Sequence, residues 1–367
     1  MRYKLLGKSG LRVSELCLGT MTFGEDWGWG ASKEESRKMF NAFAEAGGNF
    51  VDTANGYTFG TSESYLGEFV AENRDRFVVA TKYTLSTNPA DPNAGGNHRK
   101  SMVHSVENSL KRMNTDYIDL LWVHCWDFMT PTEETMRALD DLVRAGKVLY
   151  IGVSDTPAWV VSRSNTLAEL RGWSQFVGLQ INYSLLERAP ERDLLPMAHA
   201  LDIGVTCWGI LGAGVLTGKY AKDQSSHSRG PMAGNVMTER NLKIADEVVK
   251  IAAELGCTPS QVAINWVRQQ PYGVMLPILG VRKMSQLEDN LGSLNFKLDD
   301  DQLDRLNQLS QIELGFPHDF LNRDMLKMVT SGAAYLNFDF HRQTIIRDYW
   351  KYDSAAIEQV MAMFDQK

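Results

Sequence analysis

No stretch of this 367-residue chain approaches the roughly 18 consecutive apolar residues that a membrane-spanning helix needs. The opening run, MRYKLLGKSGLRVS, holds no apolar core of signal-peptide length, so a cytoplasmic location is expected. Cysteine is scarce. The 4 present, Cys17, Cys125, Cys207 and Cys257, lie far apart and form no CxxC pair. That spacing argues against a disulfide framework and a zinc site, and for reduced thiols in or near packed elements. Basic residues are not in excess: 38 Lys and Arg stand against 45 Asp and Glu, a net charge of −7. A general nucleic-acid binder would carry a basic footprint instead. Apolar residues, at 44%, are too plentiful for a disordered chain, and this length can bury a large core.

What is present is alternation. Apolar runs at Glu15–Leu18, Asn49–Asp52, Phe77–Thr81, Tyr117–Val123, Val148–Val153, Val177–Ile181, Val205–Trp208 and Val274–Ile278 read as strands buried on both faces. Amphipathic segments separate them. Ser32 and Glu35 have capping-box spacing ahead of Met39, Phe40 and Phe43. Further helices are expected at Ser62–Glu72, Lys100–Met113, Thr132–Ala145, Pro157–Arg171, Glu191–Leu201, Glu239–Leu255, Ser260–Gln270 and Lys283–Leu291. Eight such units suit a (β/α)8 TIM barrel, although an open doubly wound sheet also alternates. The open sheet usually carries GxGxxG after its first strand, and Gly19-Thr20-Met21-Thr22-Phe23-Gly24 does not match, which favours the barrel.

Three segments stand outside the repeat. Tyr3–Leu6 and Leu11–Val13 flank Gly7-Lys8-Ser9-Gly10 and are expected to form a hairpin closing the barrel bottom. Ala221–Met237, rich in Ser and Gly, is a candidate lid. The barrel is expected to occupy 1–320, with 321–367 an extension that packs on it, caps the pocket or mediates contacts between copies in a homo-oligomer.

In parallel barrels, reactive residues gather at the C-terminal ends of strands. Three successive strands here end with Asp52, Lys82 and His124, and the turn after Asp52 reaches Tyr57. A charged residue ending an apolar strand is costly to bury unless it is paired. An ammonium beside a phenol lowers its pKa, a carboxylate fixes the ammonium, and an imidazole binds a substrate oxygen or relays a proton. The set forms a general acid aimed at a carbonyl oxygen, the complement of a hydride donor. Each residue alone has an ordinary structural explanation; the four together at neighbouring strand ends do not.

Gly47–Asp52 with Thr53-Ala54-Asn55-Gly56-Tyr57, then Val79–Lys82, then Leu110–Leu120 leading to His124, resemble the aldo-keto reductase superfamily across about residues 3–320. Gly95–Lys100 and Trp122–Asp127 are similar to its aryl-alcohol dehydrogenase-like branch. The resemblance implies a catalytic tetrad of Asp52, Tyr57, Lys82 and His124, and a nicotinamide cofactor, NADPH/NADP+, with no metal. It places Ser154 and Gln180 on the carboxamide and Trp208 against the nicotinamide ring. Asp155 stands where the family usually has Asn. The loop with Gly209, Leu211, Gly214 and Lys219 is expected to hold the pyrophosphate, glycines admitting a close backbone approach. Many relatives have Ser-Pro where this chain has Gly209-Ile210. Gly280 lies in the strand-to-helix turn that the family uses for the adenosine end of the cofactor, Arg282 is the candidate for the 2′-phosphate, and Gln286 and Asn290 are nearer the adenine.

Met21, Phe23, Trp27, Trp29, Tyr83, Trp126 and Phe128 are candidate pocket residues, and an aromatic mouth suits aryl or bulky apolar carbonyls. The expected activity is NADPH-dependent reduction of aldehydes or ketones, reversible as alcohol oxidation, on small molecules and with neither nucleic acid nor membrane as partner. The alternative is a non-catalytic nicotinamide-binding sensor or interaction subunit. A metal-dependent barrel hydrolase would need His and carboxylate ligands on several strand ends, and of the histidines only His124 sits on a rim that can be named.

Overall fold

In the computed structural model, which describes residues 1–219 and 236–321 together with Leu326 and Val329, eight parallel strands close into a barrel. A hairpin of β1 (Tyr3–Leu5) and β2 (Arg12–Ser14) precedes it. The barrel strands are β3 (Cys17–Gly19), β4 (Phe50–Asp52), β5 (Val78–Tyr83), β6 (Ile118–Val123), β7 (Val148–Ser154), β8 (Phe176–Asn182), β9 (Gly204–Trp208) and β10 (Met275–Gly280). They pair in chain order, and β10 closes on β3. The eight expected strands fall within two residues of these bounds at every end. Around them run α1 (Lys33–Glu45), α2 (Thr61–Val70), α3 (Arg99–Met113), α4 (Thr132–Arg144), α5 (Ala158–Arg171), α6 (Leu194–Ala200), α7 (Glu239–Leu255), α8 (Pro259–Arg268) and α9 (Met284–Leu291).

Strand parity decides which side chains reach the interior. Side chains alternate faces along a strand. Phe50, Val78, Ala80, Leu120 and Trp122 pack with Leu276 and Ile278 inside the barrel. Val51, Val79, Leu121 and Val123 pack outward against the helices. The next inward positions after Phe50, Ala80 and Trp122 are Asp52, Lys82 and His124. One alternation therefore sends three polar residues to the same rim.

Trp122 fills the lower interior with no exposed surface. It fits because β7 and β8 offer glycine: a Cβ on Gly152 would lie 2.4 Å from the indole ring, and one on Gly178 2.7 Å. Leu6, also fully buried, follows β1 and plugs the bottom against Gly178 and Gly204, as the hairpin reading expects. Gly7 turns there with φ +54, and a Cβ would collide with the Asp202 carbonyl at 2.5 Å.

Three expectations change. The capping box at α1 is half formed: Ser32 accepts from the Glu35 N–H, while the Glu35 carboxylate accepts from the Met284 N–H at the start of α9. The helix expected from Glu191 begins at Leu194, because Pro196 cannot bond back to Arg192 and tolerates only the first turn. Two helices went unexpected, α10 (Asp300–Ser310) and the short α11 (His318–Leu321). The signal for α10 lay in Asp299 and Gln302, which form a reciprocal capping box ahead of buried Leu303 and Leu306. The lid reading lies outside the described residues except for Val236 and Met237, and so does most of the 321–367 extension. Among the described residues, no helix is long and apolar enough to cross a membrane.

Replacing Gly152 by Ala drives a methyl into a rigid indole and is expected to cost about 1–3 kcal/mol of stability. Gly10→Ala, whose methyl meets nothing within 4 Å, is expected to stay within about 0.5 kcal/mol of wild type. Urea midpoints of the two variants check the contrast.

Candidate active site

Lys82 is the hub of the rim. Its side chain is fully enclosed, and its ammonium donates to Asp52 Oδ2, to the Thr53 carbonyl at 2.7 Å and to the Tyr57 hydroxyl at 3.2 Å. Asp52 Oδ1 accepts a second bond from Gln180 Nε2, 2.9 Å away across the barrel. Removing one partner of a buried ion pair leaves the other charge uncompensated, at a cost of about 3–5 kcal/mol. The His124 ring meets the Tyr57 ring edge-on at 6.0 Å between centroids. All four residues of the expected set are thus brought together.

Tyr57 is delivered by a strained turn. Thr58 and Phe59 follow it at φ 46 and 53, in left-handed backbone that a β-branched residue rarely adopts. The Thr58 hydroxyl holds the turn by donating to the Phe23 carbonyl at 2.7 Å and accepting from the Ser62 N–H at 3.1 Å. Strain of this kind persists only where the surroundings over-determine it.

Burial and charge set the protonation states. Burial opposes the Lys82 ammonium, but Asp52 and then Tyr57 outweigh it, so its pKa stands above the ordinary lysine value. For Tyr57, burial is the largest influence and raises the phenol; Lys82 pulls it down, and Asp52 and Asp155 push it up again. The expected lowering by Lys82 is real but loses to burial, and the phenol stands above its usual value. Burial, then Lys82, lowers His124 to about 3, so the imidazole is neutral across the physiological range.

The opposite arc of the rim is polar and glycine-rich. Ser154 pairs in register with Gln180, and Asn182 with Trp208, which closes β9 and is 39% exposed. Gly209 (φ 71) and Gly214 (φ 94) then wind the chain through left-handed conformations, and a Cβ on Gly214 would come within 2.9 Å of Lys219 Nζ. Within the turn the Gly212 and Gly214 N–H groups donate to the Gly209 and Leu211 carbonyls at 2.8 and 2.9 Å, and the missing side chains of the glycines admit a close approach to the backbone. Leu211 is half-buried there. Beyond Gly280, half-buried Arg282 precedes the N-terminus of α9, its N–H donating to Gln286 Oε1 at 2.8 Å. Asn290 is buried, with little surface for an outside ligand. These residues fit a dinucleotide: a glycine-rich loop with a lysine, an arginine at a helix start, and small polar groups by the reactive rim.

Residues 15–311 match the Aldo/keto reductase family. The chain belongs to that family. It is 39% identical over 330 residues to a norsolorinic acid reductase of Aspergillus flavus, an alignment covering 86% of this chain and 83% of that protein. It is 37% identical over 360 residues to a putative aryl-alcohol dehydrogenase of Saccharomyces cerevisiae, covering 92% of this chain and 96% of the other. An aryl-alcohol dehydrogenase of Pestalotiopsis microspora is 38% identical over 330 residues, covering 87% and 85%. This aldo/keto reductase is therefore an oxidoreductase acting on carbonyl or alcohol groups of small molecules, in a family that uses a nicotinamide cofactor.

Above Tyr57, the aldo/keto reductase carries an aromatic cluster. Half-buried Trp27 meets Tyr57 edge-on at 6.4 Å and lies tilted against Trp29 at 5.6 Å. Met21 and Trp126 are also half-buried, and Phe128 is exposed. Two pocket candidates lie elsewhere. Tyr83 follows inward-facing Lys82, so parity turns it outward into the core under the helices, where its hydroxyl donates to the Asn97 carbonyl at 3.3 Å. Phe23 is fully buried against Phe69 at 6.2 Å. Conversely, Phe59, 79% exposed and edge-on to Trp27 at 6.3 Å, escaped the sequence reading although it stands two residues after Tyr57.

Asp155 also acquires a partner. At φ 40, it accepts from Trp208 Nε1 at 3.3 Å. Although much of the residue faces solvent, the protein around its carboxyl raises it to about 6 by desolvation, with the Trp208 bond and Lys82 opposing. The carboxylate that accepts from the indole is therefore lost as pH falls through about 6. Tryptophan emission of the ligand-free protein is expected to titrate near that pH, and the titration to disappear in Asp155→Asn. An identical titration in the variant would assign the change to another group.

Proposed function

We propose that this chain is an NADPH-dependent reductase of aldehydes and ketones, aryl or bulky apolar, which also runs in reverse as an NADP+-dependent alcohol oxidation. The observation that supports this most is the enclosed Lys82 ammonium held between Asp52, the Thr53 carbonyl and the Tyr57 hydroxyl. When bound, NADPH supplies the hydride. Tyr57 gives its proton to the carbonyl oxygen as that oxygen gains charge. Lys82 stabilises the phenolate left behind, Asp52 holds Lys82, and Gln180 holds Asp52. Neutral His124 donates an N–H to the carbonyl oxygen and orients it. A phenol raised by burial stays protonated at neutral pH, the state a general acid for reduction needs. In oxidation, Tyr57 takes the proton back.

Ser154 and Gln180 would hold the carboxamide, Trp208 the ring, and the Gly209–Lys219 loop with Leu211 and Gly214 the pyrophosphate. Gly280, Arg282 and Gln286 would face the adenosine 2′-phosphate and adenine, of which Arg282 can fork a phosphate, while buried Asn290 leaves the set of contacts. Met21, Trp27 and Trp126, with exposed Phe59 and Phe128, would receive the substrate, and their rings suit an aromatic or bulky apolar carbonyl.

NADPH consumption against aryl aldehydes, aliphatic aldehydes and ketones, with NADH in parallel, tests this reading. Turnover with NADPH supports it. Tryptophan quenching by NADPH without turnover of any carbonyl would make the protein a nicotinamide-binding sensor or interaction subunit. Tyr57→Phe is expected to keep NADPH affinity and lose roughly 100-fold or more in carbonyl reduction, as removal of a general acid should; near-wild-type turnover would overturn the assignment of Tyr57. Arg282→Ala is expected to raise the KM for NADPH about 10-fold through loss of a charge-assisted bond, with the KM for NADH unchanged.

A further inference from the structure

The stretch Gly95–Lys100 has no role in the chemistry above, and in the structure it meets Trp122–Asp127, the stretch that carries His124. Asn97, fully buried in the loop between β5 and α3, commits each of its polar groups. Its N–H donates to Asp127 Oδ2 at 2.7 Å, and its Oδ1 accepts from the Asp127 N–H at 2.8 Å. Its Nδ2 donates to Thr84 Oγ1 and to the Cys125 carbonyl, both at 2.9 Å, and its own carbonyl accepts from the Tyr83 hydroxyl. Asp127 in turn accepts from the Met129 and Thr130 N–H groups, both at 2.9 Å, and from the Thr130 hydroxyl at 2.7 Å. Burial raises the Asp127 carboxyl, but these bonds outweigh it and hold it below the usual carboxylate range.

His124 sits inside this frame and lacks the usual means of being held. A functional histidine commonly has its ring fixed by a hydrogen bond at the nitrogen that does not face the reaction. His124 Nδ1 is buried and has no hydrogen-bond partner among the described residues. What holds the residue is its backbone. Its N–H donates to the Tyr83 carbonyl at 3.1 Å, and the carbonyl of the next residue, Cys125, is the one Asn97 Nδ2 grips. Beyond Asp127 the chain turns at Phe128 (φ 57), leaving Phe128 and Met129 73% and 82% exposed.

We propose that Asn97 and Asp127 are positioning residues: their reciprocal clasp sets the orientation of the His124 ring through the backbone, in place of a second-nitrogen hydrogen bond. The proposal rests on the carbonyl-reductase reading for its kinetic consequence and on geometry alone for the orientation of His124.

Asp127→Asn and Asn97→Asp change no volume. The first turns an N–H2 toward backbone donors; the second sets an oxygen against the Cys125 carbonyl. In either variant kcat for an aryl aldehyde is expected to fall about 10-fold, since a misplaced group forfeits alignment, with NADPH affinity unchanged. On a His124→Gln background the same substitution is expected to change kcat by less than about 2-fold, because residues acting through one another are non-additive. An equal loss on both backgrounds would reduce the clasp to general structural support and overturn the proposal. A second readout is independent of turnover. His124 ring resonances, identified by their absence in His124→Gln, are expected to titrate at about 3 in the wild type. In Asp127→Asn they are expected to titrate higher as the frame loosens beside Lys82 and Tyr57. An unmoved His124 titration in both variants would overturn the proposal even if no carbonyl were turned over, an outcome that would separately remove the reductase reading.

Discussion

One enclosed ammonium organises the upper half of this barrel. The Lys82 side chain has no exposed surface, so its charge is met by protein, through the end of β4, the turn after it and, behind Asp52, the end of β8. Asp52 supplies the countercharge and is itself steadied by Gln180 from across the barrel. The Thr53 carbonyl and the Tyr57 hydroxyl complete the coordination, which draws the turn after β4 inward at the expense of two left-handed residues, Thr58 and Phe59. In low dielectric such a cluster stands or falls as a unit. The buried carboxylate is intelligible only with the lysine in place, and the same charge adds to burial in keeping the imidazole neutral.

The same desolvation acts on each titratable group in a different sense. It works against the ammonium and loses to Asp52. It works against the phenolate and prevails over Lys82. It works against the imidazolium with Lys82 as its ally, which leaves His124 uncharged. A single physical influence thus yields a charged lysine, a protonated tyrosine and a neutral histidine side by side. Those are the states that proton donation to a carbonyl oxygen needs.

Much of this was legible in the sequence because it follows from parity. Apolar runs ending in Asp52, Lys82 and His124 fixed both the strands and the face on which those residues emerge. The same parity, applied one residue further, would have turned Tyr83 away from the mouth. What sequence could not supply was contact between loops. Nothing local joins Asn97 to Asp127, Asp155 to Trp208, or Glu35 to the start of α9, since each pairing is made by chain closure. Nor could spacing weigh burial against a neighbouring charge at Tyr57, because that balance depends on how much water the finished barrel excludes.

Trp122 has a consequence for traffic. Wedged between Gly152 and Gly178, with Leu6 beneath, it seals the barrel from below. Among the described residues, the barrel is therefore closed beneath Lys82, and the rim is reached from the mouth. Of two molecules stacked above such a floor, the deeper arrives first and leaves last. Any order imposed on their arrival and departure would then be a property of the floor as much as of the mouth.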